Sequence, residues 1–399
     1  MALLETFKSA LAALEPGPSL AVGVSGGVDS ICLMHLCAQA GLHPLVVHLD
    51  HGLRPESARE GEEVARQAAT LGLTFSGRCL KLPAGPNLAQ RAREARLAVW
   101  DSLAVDHVLL AHHLDDQAET VIDRLARGAS TRGLSGIPAR RGKLLRPLLG
   151  VRRDELLAFA RAQGLSWMED PSNRKGTRGA IRHRVLPALT ERRPGAAAAI
   201  ARSARLMAQD EDLLSGLAAQ LLGPQGIDAQ AFSQAHPALQ RRALVLLVER
   251  SRGHSREVSA AWLDAATTHL DGTKGVLELG DGWRLVGGDG LLRCLPAPPT
   301  QRDLRRGRWG LWSLDATASV TLRPYRPGER IGARRVVDLL REGGVPVSLR
   351  PYHPIVEVAD QRWLAGLAFE GQDPKGIQVR LQPDPQASPR GGGPYLWTL

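Results

Sequence analysis

Leu20-Ala21-Val22-Gly23-Val24-Ser25-Gly26-Gly27-Val28-Asp29-Ser30 is the stretch that decides how the first half of this chain folds. Its first five residues are apolar or glycine and read as a buried strand, Leu20 to Val24. Ser30 to Ala40 reads as the helix that follows. Between them lie two glycines, which let the backbone turn tightly and come close to a ligand. The N–H groups of these glycines, of Ser30 and of Ile31 would point from a helix N-terminus, where an anion is stabilised. Ser25 and Ser30 add hydroxyl donors. Asp29 is the odd member, because a carboxylate repels phosphates unless a cation separates them. A magnesium ion bridging Asp29 and phosphates resolves that conflict. The alternative is a Gly-Gly turn with Asp29 as a helix cap. The flanking strand and helix favour the anion loop.

The same strand-then-helix rhythm continues outward. Pro44 to Leu49 reads as a second strand and Glu56 to Leu71 as its helix. Leu73 to Leu80, then Asn87 to Ser102, form the next pair, and His107 to Ala111, then Leu114 to Arg127, the fourth. Repeated β-α units with apolar strands predict a doubly wound parallel α/β sheet covered on both faces. Ligands of such sheets bind beyond the carboxyl ends of the strands. Leu144 to Leu149 adds a strand and Val151 to Gln163 a helix, while Trp167 to Gly179 reads as a loop. A long Ala-rich helix runs from Gly195 to about Leu222, and Gly223-Pro224-Gln225-Gly226 breaks it as a domain boundary. Helices over Ala235 to Leu247 and Val258 to Leu270 precede short strands with Gly turns. From Trp309 the pattern is strand, turn and one helix, Arg334 to Glu342, with a flexible tail at Gly391-Gly392-Gly393. The expected organisation is a catalytic domain over residues 1–190, a helical middle domain over 191–296, and a small α+β domain over 305–390.

The chain has 399 residues, enough for two or three domains, and a globular hydrophobic fraction of 43%. No apolar run approaches the ~18 residues of a membrane span. The N-terminus lacks a signal-cleavage pattern, so a cytoplasmic protein is expected. Four cysteines (Cys32, Cys37, Cys79, Cys294) show no C-x-x-C spacing and read as free thiols. The net charge is +10, and the basic excess is uneven. Pro171 to Arg205 holds nine basic residues and one acid, and Gln301 to Arg350 eleven and five. Two basic segments within a folded chain point to a polyanion such as nucleic acid, or else to a solvated surface.

The loop is not a Walker A sequence, because no Gly-Lys-Ser/Thr follows. Further motifs lie at the other strand ends: His48-Leu49-Asp50-His51-Gly52-Leu53-Arg54 and His112-His113-Leu114-Asp115-Asp116-Gln117-Ala118-Glu119-Thr120. Asp116 and Glu119 are three apart on a helix and share a side. Two such carboxylates could hold an ammonium or orient a base. The four histidines admit a metal site, but their spacing fits hydrogen bonding to a nucleotide or to the loops better.

Ser25-Gly26-Gly27-Val28-Asp29-Ser30 resembles the SGGxDS motif of the PP-loop, or N-type, ATP pyrophosphatases, whose domain is adenine nucleotide alpha hydrolase-like. Taken with the two strand-end motifs, with Asn87, Ala92-Arg93 and Arg96, with Arg146-Pro147-Leu148-Leu149 and with Trp167 to Asn173, the chain resembles the tRNA(Ile)-lysidine synthetase family. The likeness is dense from Val22 to Pro187 and thinner from Arg323 to Trp363, through Arg326-Pro327-Gly328-Glu329-Arg330.

The resemblance implies ATP and Mg2+ as cofactors and tRNA and L-lysine as partners, and it admits a homodimer. It implies that Ser25, Gly26, Gly27, Val28, Asp29, Ser30 and His51 bind ATP or pyrophosphate, with Asp29 also a Mg2+ ligand. Asp29, Asp116, Glu119 and Arg178 would be catalytic. Asp116 and Glu119 would meet the target cytidine and the lysine. Arg93, Arg96, His112, His113 and Arg182 would contact the substrates. The reaction implied is adenylation of O2 of the wobble cytidine in the CAU anticodon, then attack by lysine at C2. The N-terminal half would take the anticodon loop and the basic C-terminal domain the tRNA body. Two positions depart from the family pattern: Leu97, where Tyr is frequent, and Gly179, where Asn is frequent.

Overall fold

The computed structural model describes residues 2–50, 57–80, 88–168, 176–253, 258–269, 275–288, 290–309, 312–345, 347–358, 361–364 and 379–383. His51, Asn87, the Glu169–Asn173 segment and the glycine tail lie outside these residues. The chain divides into two compact units, Met1–Glu211 and Asp212–Leu399.

The first unit begins with α1 (Ala2–Ala12), β1 (Leu20–Gly23), α2 (Val28–Gln39), β2 (Leu45–Asp50), α3 (Ser57–Thr70) and β3 (Phe75–Cys79). It continues with α4 (Leu88–Ser102), β4 (His107–Leu109), α5 (Leu114–Ala126), α6 (Thr131–Leu134), β5 (Arg140–Arg141), β6 (Leu144–Leu145) and α7 (Arg153–Ala162). The sheet order is β3-β2-β1-β4-β6-β5, parallel except for β5. Strand alternation sends Val22, Val46, Leu109 and Leu145 to a core with α1, α2, α3 and α7. Their neighbours Ala21, Val47, Val108 and Leu144 face the other core, with Trp100 and Leu103. Both faces are buried, which is why these strands carry continuous apolar runs. Strand order reverses between β1 and β4, so the loops after these two strands open a crevice at the switch point.

β6 is shorter than the sequence predicts. Pro147 supplies no N–H to a ladder, and Arg146 to Leu149 turn instead, Arg146 N donating to Ala139 O at 2.9 Å. The stretch read as a loop before Gly179 ends in α8 (Gly176–Ala180), which runs into a π-helical turn (Ile181–Val185) and α9 (Leu186–Arg192). A 24-residue helix, Ala196–Ala219, follows and carries the division between the units.

Gly223 to Gly226 does not separate domains. It turns a hairpin between Leu222–Gly223 and Gly226–Asp228 inside the second unit's first sheet. A side chain on Gly226, whose φ is 150°, would strike the backbone of Leu292 on the next strand. This five-stranded sheet accompanies helices Pro237–Arg252 and Ala260–His269 around Phe232, Leu244 and Leu285. A second antiparallel sheet is built on Trp312–Pro324, with helix Val336–Glu342 nearby. Glu329, from the second region of family resemblance, is consumed structurally. It pairs with the buried Arg323 and accepts from Arg326 N at 2.7 Å. No described helix is long and apolar enough to cross a membrane.

Candidate active site

The loop after β1 is organised by its own serines. Ser30 is buried; its Oγ donates to Gly27 O at 2.9 Å and accepts from Ser25 N at 3.1 Å. Ser30 therefore holds the loop shape, and the exposed Ser25, with Oγ 3.2 Å from that of Ser30, is the hydroxyl open to a ligand. The N–H groups of Ser30 and Ile31 both donate to Gly27 O at 3.1 Å, so they are not the donors expected from the sequence. Among the described residues the first-turn N–H groups of α2 that find no backbone acceptor are those of Val28 and Asp29. Gly26 has φ +89°, and its carbonyl accepts from Met168 N at 3.0 Å. No side chain caps α2, which removes the capping alternative for Asp29. Its Oδ1 is sealed from solvent with no hydrogen-bond partner among the described residues, and an orphaned carboxylate oxygen beside such a loop suits a cation.

The loop after β4 brings a second set of groups to the same crevice. His113 is fully buried as the N-cap of α5. Its N–H donates to Asp116 Oδ2 at 3.0 Å, and its Nδ1 faces Asp116 N at 3.4 Å. Its Nε2 lies 3.5 Å from Asp29 Oδ2 and 3.4 Å from Asp116 Oδ2. Burial opposes a charge on His113, but Asp29, Asp116 and Asp115 outweigh it and raise its pKa. Burial likewise opposes the Asp116 carboxylate, and His113, Arg178 and His112 outweigh it and lower its pKa. One imidazole thus stands between Asp29 and Asp116, carboxylates far apart in sequence, with Nε2 close to both and hydrogen-bonded to neither among the described residues.

Glu119, one turn further along α5, is 1% exposed. Arg178 and Arg182 lie four apart on the helical path through α8 and the π turn, so both reach the same face of α5. Arg178 donates to Glu119 Oε2 and Asp116 Oδ1, each at 3.0 Å. Arg182 donates to Glu119 Oε1 at 2.6 Å and to Asp116 Oδ1 at 3.0 Å. The two carboxylates therefore face guanidinium forks rather than open space. The Gly179 departure does not displace Arg178, because α8 runs through it.

Beside this cluster, on the α4 face of the sheet, lies a cavity of about 470 Å³. Arg93, Arg96, Arg178, His112 and Glu119 line it. Leu97 lines it too, so this departure alters the cavity wall and not packing alone. Of the three described histidines of these motifs, His48 is buried with Nδ1 donating to Val24 O at 2.9 Å, His113 is a cap, and His112 lines the cavity, while His51 lies outside the described residues. Among the described residues no group of three or more His, Cys, Asp or Glu is placed to hold a metal. Burial pushes the thiols of Cys32, Cys37 and Cys294 up to about 12, leaving them protonated.

Burial, with nearby Arg146 and Arg178, pushes His112 down to about 4 against the pull of Asp116. Between pH 6.5 and about 4 the unfolded chain takes a proton that the folded chain refuses. Stability should therefore fall as pH falls through that window. Thermal melts of wild type and His112→Asn over this range test it: the wild type should lose more stability on acidification, and parallel curves would refute the burial argument.

Gln117 and Arg146 hold positions beside the cavity that no local sequence pattern marks. Gln117 Nε2 donates to Ile137 O at 2.7 Å and its Oε1 accepts from Ile137 N at 2.6 Å, pinning the loop beside the cavity. Arg146 donates to Pro138 O at 2.7 Å on the same loop. Both stand inside motifs, but only the fold shows what they face.

The PP-loop domain family matches residues 3–189. A tRNA(Ile)-lysidine synthase of Azoarcus sp. strain BH72 is 34% identical, with 90% of each chain covered. The protein of that name from Pseudomonas aeruginosa is 35% identical over 88% of this chain and 90% of its own. That from Thermus thermophilus is 36% identical over 88% of this chain and 69% of its own.

Proposed function

The chain belongs to the tRNA(Ile)-lysidine synthase family, and from that premise we propose how its own residues carry the family reaction. The enzyme joins L-lysine to C2 of the wobble cytidine of an isoleucine tRNA with a CAU anticodon. O2 of the base attacks the α-phosphorus of ATP and pyrophosphate leaves. An amine of lysine then adds at C2 and loses a proton, and AMP departs with O2. The observation that carries this reading is the meeting of Asp29, His113 and Asp116 at the switch point.

The N–H groups of Val28 and Asp29 and the Ser25 hydroxyl hold the pyrophosphate at the positive end of α2. Mg2+, held by Asp29 with phosphate oxygens, would offset the charge that develops on the leaving group. His113 fixes Asp29 and Asp116 relative to each other. Arg178, 54% exposed, is the guanidinium that can turn from the carboxylates to the adenylated nucleotide. Its departure frees Glu119 and Asp116 to hold the lysine ammonium. Arg182, 22% exposed, stays as their structural partner.

Incubation with ATP, magnesium, labelled lysine and unmodified tRNA tests the reading. Label should enter the isoleucine tRNA with the CAU anticodon, with one AMP and one pyrophosphate released per lysine. Absence of transfer to any tRNA, with ATP bound, would overturn it.

A further inference from the structure

The cavity beside the loop holds more positive charge than the chain neutralises. Arg93, Arg96 and Arg141 are exposed at its mouth, and Arg146 is 6% exposed in its wall. Among the described residues none of these four pairs with a carboxylate. The carboxylates lining the cavity are already engaged, Glu119 with Arg178 and Arg182, and Asp123 with Arg127 at 3.0 Å. Arg146 Nε is buried without a hydrogen-bond partner among the described residues. Burial, together with Arg141 and Arg93, pulls the pKa of Arg146 down to about 10. A buried guanidinium among like charges is costly unless an anion completes the site.

Of the phosphate loop, only Ser25 lines this cavity; Gly26 to Ser30 do not. The N–H donors of Val28 and Asp29 thus lie outside it, and Ser25 alone borders both the loop and the cavity, whose arginines face a separate stretch of anion. Trp100, Leu97, Val47 and Leu49 supply an apolar wall that would shield the charges from water.

We propose that Arg93, Arg96, Arg141 and Arg146 form a seat for the phosphodiesters flanking the reacting cytidine, with Arg146 as its floor. The proposal rests on the tRNA reading above. Each fork presents paired donors to phosphate oxygens, and the seat holds the nucleotide by its backbone while the base turns toward Asp29 and Asp116. This step is positioning and not chemistry.

The test uses full-length enzyme and isoleucine tRNA carrying a methylphosphonate at the phosphate 5′ or 3′ of the target cytidine, which removes one charge. Binding is measured across a salt series, with single-turnover lysine transfer and the KM for ATP. With wild-type enzyme each replacement should weaken binding roughly tenfold. Arg141→Gln should reduce the salt slope by about one and leave the ATP KM within about twofold. Combined with the methylphosphonate it should add little further loss. Arg146→Gln should behave alike; should it fail to fold, the exposed Arg141 carries the test. Fully additive losses, or a raised ATP KM with unchanged tRNA binding, would overturn the seat. Failure of the wild type to transfer lysine to unmodified tRNA would instead overturn the function itself.

Discussion

Asp29→Ala is expected to leave a folded protein that binds tRNA yet forms adenylated tRNA about 10²–10³-fold more slowly. The side chain is 28% exposed, caps nothing and leaves Oδ1 without a hydrogen bond, so its removal costs the fold little. It is also the one carboxylate of the phosphate loop, and the proposed mechanism gives it the cation that would sit near the departing pyrophosphate. Pyrophosphate release and labelled-lysine transfer in single turnover measure the effect, with circular dichroism as the folding control. Asp29→Asn separates charge from shape, because the amide keeps the contact to His113 but binds magnesium poorly. It should be nearly as slow as Asp29→Ala. A variant within about fivefold of wild type would refute the metal and phosphate role, since that is far below the loss of one electrostatic stabiliser.

The second large effect falls on stability as well as rate. Glu119→Ala should destabilise the first unit by about 3–5 kcal/mol, because Arg178 and Arg182 then face Asp116 alone. For a unit of this size that is a melting transition roughly 10 °C lower. The burial is what makes the loss large: Glu119 is 1% exposed, whereas an exposed pair would be worth about 1 kcal/mol or less. Glu119→Ala combined with Arg182→Ala should recover part of the loss by removing one stranded charge. Lysine transfer should fall in both variants. A single variant that melts within about 2 °C of wild type would show the cluster to be far weaker than a buried network.

Local chemistry made several features readable from the chain alone. The apolar runs at Leu20, Leu45 and His107 had to be strands buried on both faces, and Gly26-Gly27 between strand and helix had to turn tightly, which favoured an anion loop. Asp116 and Glu119 three apart had to share a helical side. These follow from the periods of strand and helix, which are properties of consecutive residues. The Arg146-Pro147 pair shows where such reading stops: Pro147 ends the strand early and turns Arg146 into the cavity wall, yet the sequence there reads as more strand.

By itself, the sequence determined the parallel α/β unit, the phosphate loop, the carboxylate pair and the family, because each is written in residues close along the chain. Only the tertiary structure decided what those groups face. It set His113 between Asp29 and Asp116, matched Arg178 and Arg182 to the two carboxylates, and drew Arg93, Arg96, Arg141 and Arg146 around one cavity. The segments brought together lie tens of residues or more apart, although His113 and Asp116, and Arg93 and Arg96, are near neighbours in sequence. Their distances are fixed by strand order and by the burial that makes an unpaired charge costly, neither of which a local pattern contains.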